Sequence, residues 1–429
     1  MKTLLVLPFL LISCFVFGQL LSGPMIGHQT QMETNIWLQT KTPMSLDVYY
    51  LTEEDSALKQ LPQSIVTEIE NWNTITINFN RLNPSTNYSY IIKSEDNLLT
   101  EGTFKTPALL DTRELPDFSF AFGSCTYVNE KAYDQSGEPF GRPLDIINSI
   151  EEQHPNFMIW LGDNIYLRKG EWGSKTGIYR RYTNLKSRPE LQSFWKSIPH
   201  YAIWDDHDFG PNDADRSFIN KDLTLKAFKA FWANPSYGIN GQPGITSSFT
   251  HQDVEFFLLD NRYFRSPNKR ITGDRQILGK RQIEWLIDAL VNSKASFKFI
   301  VVGGQFLSDA AVYENHATYP KEREFLLELI EKEELKNIVF LTGDRHKTEL
   351  SQLTLKNGTT LYDFTSSPMA SRAFDSKDEG NDNQVEGTHV ATQNFGTISV
   401  SGQYKNRVLK LKTFDSKGTL LWQKEILKQ

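Results

Sequence analysis

Asn156-Phe157-Met158-Ile159-Trp160-Leu161-Gly162-Asp163-Asn164-Ile165-Tyr166 opens with an apolar run that stops at a glycine and an aspartate. A short apolar run ended by a turn signal reads as a strand buried on both faces, the kind a parallel sheet requires. The same grammar recurs on either side. Phe118-Ser119-Phe120-Ala121-Phe122 runs into Gly123-Ser124-Cys125, and Tyr201-Ala202-Ile203-Trp204 runs into Asp205-Asp206-His207-Asp208. Further along, Val254-Glu255-Phe256-Phe257-Leu258-Leu259 stops at Asp260-Asn261-Arg262. Phe297-Lys298-Phe299-Ile300-Val301-Val302 stops at Gly303-Gly304-Gln305, and Asn337-Ile338-Val339-Phe340-Leu341 at Thr342-Gly343-Asp344-Arg345-His346. Amphipathic helical stretches intervene, among them 281–291 and 322–332. Strands alternating with helices predict a layered α/β domain over 116–429 with largely parallel strands.

Outward from this core the pattern changes. Residues 28–108 carry short alternating runs such as Thr34-Asn35-Ile36-Trp37-Leu38 and Tyr88-Ser89-Tyr90-Ile91-Ile92, separated by turn residues. That spacing predicts a small antiparallel β-sandwich. Leu82-Asn83-Pro84-Ser85-Thr86-Asn87-Tyr88 resembles the turn and tyrosine of fibronectin type III domains. A proline-bounded linker follows at 107–116, and the tail 399–427 reads as strands with a Ser416-Lys417-Gly418 turn.

The 429 residues are 39% hydrophobic and 23% charged, which supplies a real core and excludes disorder. A formal charge of −6 argues against a basic nucleic-acid-binding surface. Residues 1–18 read as a signal peptide: Lys2 precedes an apolar run over 4–17, and Val16-Phe17-Gly18 forms a small-residue cleavage site before Gln19. Leu11-Ile12-Ser13-Cys14 also resembles a lipobox, so anchoring through Cys14 is the minority alternative to a secreted or periplasmic product. No other stretch is long and apolar enough to span a membrane. Of the two cysteines, only Cys125 lies outside the leader, so no disulfide framework is available.

Ligands of open α/β sheets bind beyond the carboxyl ends of the strands. Here six strands end in clusters of Gly, Asp, Cys, His, Gln or Arg, more than turn chemistry alone requires. Asp163, Asp206 and Asp344 are hard oxygen donors, and His207 and His346 add imidazole. Each has an ordinary reading: Asp163 and Asp344 as helix caps, His207 as a structural histidine, Arg262 as a salt bridge, Cys125 as a small hydrophobe. Three carboxylates around His207 within four residues, however, repel one another unless a cation is present. Cys125 and Tyr166 could add a thiolate and a phenolate, a pair that suits Fe³⁺ better than Zn²⁺. Arg262, just past a strand end, is a candidate phosphate fork.

Gly123-Ser124-Cys125, Gly162-Asp163-Asn164-Ile165-Tyr166, Trp204-Asp205-Asp206-His207-Asp208, Asp260-Asn261-Arg262 and Thr342-Gly343-Asp344-Arg345-His346, in this order, resemble the PhoD-like alkaline phosphatases of the calcineurin-like metallophosphatase superfamily. The resemblance covers roughly 117–372 and implies a layered metallophosphatase α/β sandwich preceded by a small β-sandwich. It implies a phosphate-ester hydrolase using Fe³⁺ and Ca²⁺, with Cys125, Asp163, Tyr166 and Asp344 where the family binds iron. Asp206 and His346 fall at further metal-ligand positions, and His207 at the substrate-facing histidine. Two departures stand out. Gly304-Gln305 replaces a histidine found after the corresponding strand in many superfamily members, and the chain ends in strands where some relatives carry a capping helix. A monomer acting on phosphate monoesters is the leading expectation. The alternatives are a phosphodiesterase or phospholipase-D-like hydrolase, and a non-catalytic binding protein on a degenerate scaffold.

Overall fold

The computed structural model describes residues 19–429 apart from 56, 63–64, 110–114 and 135; the leader expected over 1–18, with Cys14, lies outside the described residues. Among the described residues the α/β region is built on two six-stranded sheets. The first runs in the order His200–Ile203, Met158–Leu161, Phe118–Gly123, Asn394–Ser401, Val408–Asp415, Leu420–Leu427. Its first three strands are parallel, and the tail adds the last three antiparallel. The second runs Ser247–His251, Val254–Leu258, Phe297–Val301, Ile338–Thr342, Thr360–Thr365, Glu349–Thr354. Its four inner strands are parallel and its edge strands antiparallel.

The six polar strand ends therefore come from two sheets, three from each, and not from one sheet edge as the strand pattern suggests. Side-chain alternation explains the pairing of the sheets. Phe256, Phe299 and Val339 point into the central core, while their neighbours Phe257, Ile300 and Phe340 point the other way into a second core. In the central layer Phe120 meets Phe256 at 5.1 Å and Phe299 at 5.2 Å, and Phe122 meets Phe364 at 4.9 Å. Each fully buried phenylalanine contributes about 2–3 kcal/mol by leaving water. The helices Lys280–Asn292 and Pro320–Lys332 cover the outer face of the second sheet through Ile283, Leu286, Leu326 and Ile330. Helix Pro189–Ser197 packs Trp195 against Trp160 of the first.

Upstream lies a β-sandwich of a three-stranded sheet and a larger one, closed around Ile36, Leu38, Val48, Ile77, Tyr90 and Phe104. The Tyr88 hydroxyl accepts a hydrogen bond from the Asn83 backbone at 2.7 Å, fixing the turn that the fibronectin-like motif marks. The sandwich begins at Leu20–Gln29, ahead of the residue-28 start suggested by sequence. Ser22-Gly23-Pro24 and Gly27 break that strand's apolar residues with turn signals, so neither alternation nor a continuous run reveals it. It also welds the sandwich to the α/β layers. Met25 and Trp37 belong to the central core; Trp37 Nε1 donates to the Ala230 carbonyl at 2.7 Å, and the His28 amide to that of Ala233 at 2.8 Å. No helix among the described residues is long and apolar enough to cross a membrane.

Candidate metal centre

The parallel strands of both sheets deliver their carboxyl ends to one place. Two glycines make the convergence possible. A Cβ on Gly343 would stand 2.7 Å from the Ser124 side chain and 2.9 Å from the Leu161 carbonyl, atoms of the opposite sheet's strand ends. A Cβ on Gly162 would stand 2.7 Å from that of Asp205. Directly beyond these contacts the backbone turns sharply. Cys125, Asp163, Asp344 and His346 all adopt left-handed conformations, with φ of 62°, 50°, 71° and 53°. Such a conformation costs a non-glycine residue about 1–3 kcal/mol and persists where surrounding structure imposes it, chiefly at functional sites.

The result is a tight donor cluster. Cys125 Sγ lies 3.6 Å from Asp163 Oδ2 and 3.2 Å from Ser367 Oγ. Ligand atoms of Cys125, Asp163 and His346 lie within 4.8 Å of one another, as do those of Asp163, Asp206 and His207 and those of Asp205, Asp206 and Asp344. Asp163 thus belongs to two neighbouring groups. Tyr166 is buried beside them, its hydroxyl 3.3 Å from His346 Nε2 and its ring 4.3 Å from that of His207 at a tilt of 31°. His346 Nδ1 pairs with the Arg372 carbonyl, which leaves Nε2 turned to the cluster, the arrangement a histidine ligand uses.

Arg262 sits behind the cluster and is fully buried. Its guanidinium pairs with Asp205 and, at 2.6 Å, with Glu314, and approaches Asp206 Oδ1 at 3.9 Å. An exposed phosphate fork is expected from its place in the sequence; the structure instead turns it onto carboxylates. The acidic quartet resolves in the same way. Asp208 accepts from the backbones of Asn164, Ile165 and Asp205 and closes a capping box with Asp205, so it serves the backbone, while Asp205 and Asp206 keep ligand atoms in the donor cluster. Gln305, standing for the absent histidine, donates to Glu349 at 2.7 Å and Thr365 at 2.9 Å and faces no ligand group. Asp260 holds the Trp204 indole and the Arg262 amide, a structural duty.

Glu314, Asp213 and Ser367 join the site without having been read from sequence. Glu314 and Asp213 come from loops with no strand-end signal. Ser367 follows the strand Thr360–Thr365, and its Thr365-Ser366-Ser367 run is a further polar strand end that the same rule would have found.

Electrostatics point to a missing positive charge. Burial, reinforced by Asp206, raises the Asp163 carboxyl well above its ordinary range; burial, reinforced by Asp205 and Asp206, does the same to Asp344. Burial and then Asp163 raise the Tyr166 phenol, and burial raises the Cys125 thiol. Asp205 is pushed up to about 6 by burial, against the pull of Arg262. Burial lowers both His207 and His346, so each imidazole favours its neutral, ligand-competent form. Asp205 Oδ2 and Asp206 Oδ1 are buried with no hydrogen-bond partner among the described residues. Orphaned carboxylate oxygens amid mutually repelling acids are what multivalent cations satisfy, and the mixture of thiol, phenol, carboxylate and imidazole fits a ferric ion beside a harder divalent one.

Comparison with known proteins agrees with this geometry. Alkaline phosphatase D of Bacillus subtilis (strain 168) is 24% identical over 363 residues, which cover 73% of this chain and 60% of that protein, so the chain spans less than two thirds of that relative's length. The solved structure of PhoD superposes with a TM-score of 0.75 at 17% identity, covering 94% of this chain and 91% of the other. Purple acid phosphatase PPD1 from yellow lupin (Lupinus luteus) seeds superposes with a TM-score of 0.69 at 12% identity, covering 94% and 74%. At such identities the likeness is one of fold, the metallophosphatase α/β sandwich with a β-sandwich ahead of it. The sequence profile of the PhoD-like phosphatases matches residues 120–411, well over half of the protein, and the chain belongs to that family.

Proposed function

We propose that the protein is a secreted, metal-dependent phosphoesterase that hydrolyses phosphate monoesters by attack of water, with Fe³⁺ and Ca²⁺ as its cations. The observation that carries the reading is the shared position of Asp163 between two donor groups, one with Cys125 and His346, the other with Asp206 and His207. Cys125, Asp163, Tyr166 and Asp344 would hold the iron, with Asp206 and His346 completing the metal ligation. Bound cations would supply Lewis acidity and acidify a water enough for it to act as the nucleophile near neutral pH.

The protein's own groups divide the remaining work. His207, with its side chain 22% exposed, reaches solvent and packs its ring against Tyr166. Neutral in the folded protein, it donates a ring N–H hydrogen bond to the phosphoryl oxygens as charge develops. Burial of Arg262 favours a positioning role: it holds Asp205 and Glu314 and sets the field at Asp206, in place of the direct phosphate clamp that its sequence position suggests. The leader over 1–18 supports export, where an exposed free thiol would be at risk; Cys125 is buried.

The test is elemental analysis of the purified protein combined with hydrolysis of p-nitrophenyl phosphate and bis-p-nitrophenyl phosphate. Iron together with faster monoester turnover supports the proposal. Full activity in Asp163→Ala, or faster diester turnover, overturns the mechanism or the monoester preference respectively.

A further inference from the structure

The donor cluster is polar, yet its rim is aromatic. The Phe140 ring lies 5.5 Å from that of His346, and the Phe374 ring 5.3 Å from the same imidazole, with 6.4 Å between the two phenylalanines. Phe140 also meets Tyr127 at 5.0 Å and Tyr166 at 6.0 Å. This is a continuous wall of rings that starts in the buried site and ends in solvent, because Phe374 is 46% exposed. Backbone pairing holds the wall in place. The Phe374 amide donates to the His346 carbonyl at 3.0 Å, and the Arg372 amide to the Phe140 carbonyl at 2.8 Å. A single exposed phenylalanine needs no explanation. One that is pinned to a candidate ligand residue, followed by Asp375 and Lys377 and set against a second ring, presents an apolar face beside the donor cluster.

We propose that Phe374, backed by Phe140, is a specificity-determining residue that favours phosphate esters whose leaving group carries a planar aromatic ring. This rests on the phosphoesterase reading above. With the phosphoryl group held at the donor cluster beside His207, a leaving group that passes His346 would bring a ring one or two carbons away against Phe374. Offset or edge-to-face packing there stabilises bound substrate and transition state alike, so the gain is read in kcat/KM and mainly in KM.

The experiment compares 2-phenylethyl phosphate with n-butyl phosphate, whose leaving alcohols are of similar basicity, so that the ring and not the chemistry is varied. The metal-loaded wild-type protein is expected to prefer the aryl ester by roughly three- to tenfold in kcat/KM, the range of one aromatic contact. Phe374→Ala should bring the ratio close to one and Phe374→Leu to an intermediate value. Phe325→Ala, an exposed ring on the helix Pro320–Lys332, should leave it unchanged. Each ratio is measured within one preparation, so a partly folded variant still reports it. A second pair, 5′-AMP against ribose 5-phosphate, separates the sources of the ring: a preference in one pair alone assigns the rim to simple aryl groups or to nucleobases. A wild-type ratio near one in both pairs, or a ratio that survives Phe374→Ala, overturns the inference. Hydrolysis of none of the four esters overturns the phosphoesterase reading instead.

Discussion

Cys125 Sγ lies 3.6 Å from Asp163 Oδ2, and both residues hold their backbones in the left-handed region, Cys125 at φ 62° and Asp163 at 50°. A thiol and a carboxylate that both rise in pKa through burial gain little from each other. Neither does cysteine favour this conformation for its own sake. On the proposed function both would be donors to a cation, and the first prediction follows from that. Cys125→Ser should lose the visible absorbance of a thiolate–iron bond and most of the bound iron, while its far-ultraviolet circular dichroism stays that of the parent. An unchanged iron content would remove Cys125 from the ligand set.

Asp163 belongs to two donor groups, so its loss should disturb both metal positions. Asp163→Asn keeps the shape and removes the charge. Hydrolysis of p-nitrophenyl phosphate should fall by at least roughly a hundredfold, comparable with removing one preorganised transition-state group. A change confined to KM would mean that Asp163 binds substrate and holds no cation.

Chelation should destabilise the fold as well as silence it. Bound cations would relieve the repulsion among Asp163, Asp206 and Asp344, and a ligand that binds only the native state stabilises by about 2.7 kcal/mol at a hundred times its dissociation constant. The melting temperature should therefore drop after treatment with a chelator and recover with added iron and calcium. A melting temperature indifferent to the metals would contradict the cluster's electrostatics.

Much of this site was legible before any coordinates. Strands buried on both faces carry uninterrupted apolar runs, and their ends must turn, so Gly162-Asp163 and Gly343-Asp344 announce themselves locally. What sequence could not show was how the runs are shared. Three adjacent parallel strands in each of two sheets produce the same pattern as six in one, because the pattern records burial and not neighbours. Leu20–Gln29 was hidden because Ser22-Gly23-Pro24 and Gly27 interrupt its apolar residues with turn signals, next to an apolar leader. Arg262 followed a strand end like the others, but the direction of its side chain depends on Glu314, which arrives from a loop 52 residues later.

That partnership gives a test of Arg262. Its guanidinium is fully buried between Asp205 and Glu314, and removing one member of a buried ion pair typically costs about 3–5 kcal/mol because the other charges are left uncompensated. Arg262→Met should lower unfolding stability by that order and weaken metal retention. Urea denaturation of the chelated protein measures the first directly. A stable variant with only a raised KM would restore the direct phosphate clamp.

The last prediction concerns acid stability and lies away from the metals. His200 is completely buried; its Nδ1 is 3.2 Å from Trp160 Nε1, a donor, and its Nε2 is 2.9 Å from the Phe194 carbonyl, an acceptor. That pairing needs the neutral ring with the proton on Nε2. Burial lowers its pKa from 6.5 to about 3, and the charge of nearby Lys186 acts in the same direction. Above pH 6.5 the ring is neutral in both folded and unfolded chains and stability does not depend on it. Between pH 6.5 and about 3 the unfolded chain binds a proton that the native state refuses, so stability falls as pH falls, by about 1.4 kcal/mol per pH unit. His251, packed between Phe118 and Phe157 and lowered to about 4 mainly by burial, adds the same dependence over a narrower window. His200→Gln, whose amide can accept from the indole and donate to the carbonyl, should remove one such increment. Urea titrations of the parent and the variant in chelator at pH 7, 6 and 5 measure it, since contributions common to both proteins cancel in the difference. The stability difference should shift in the variant's favour by about 1.4 kcal/mol between pH 6 and pH 5. Parallel curves would mean that His200 takes up its proton inside the folded protein.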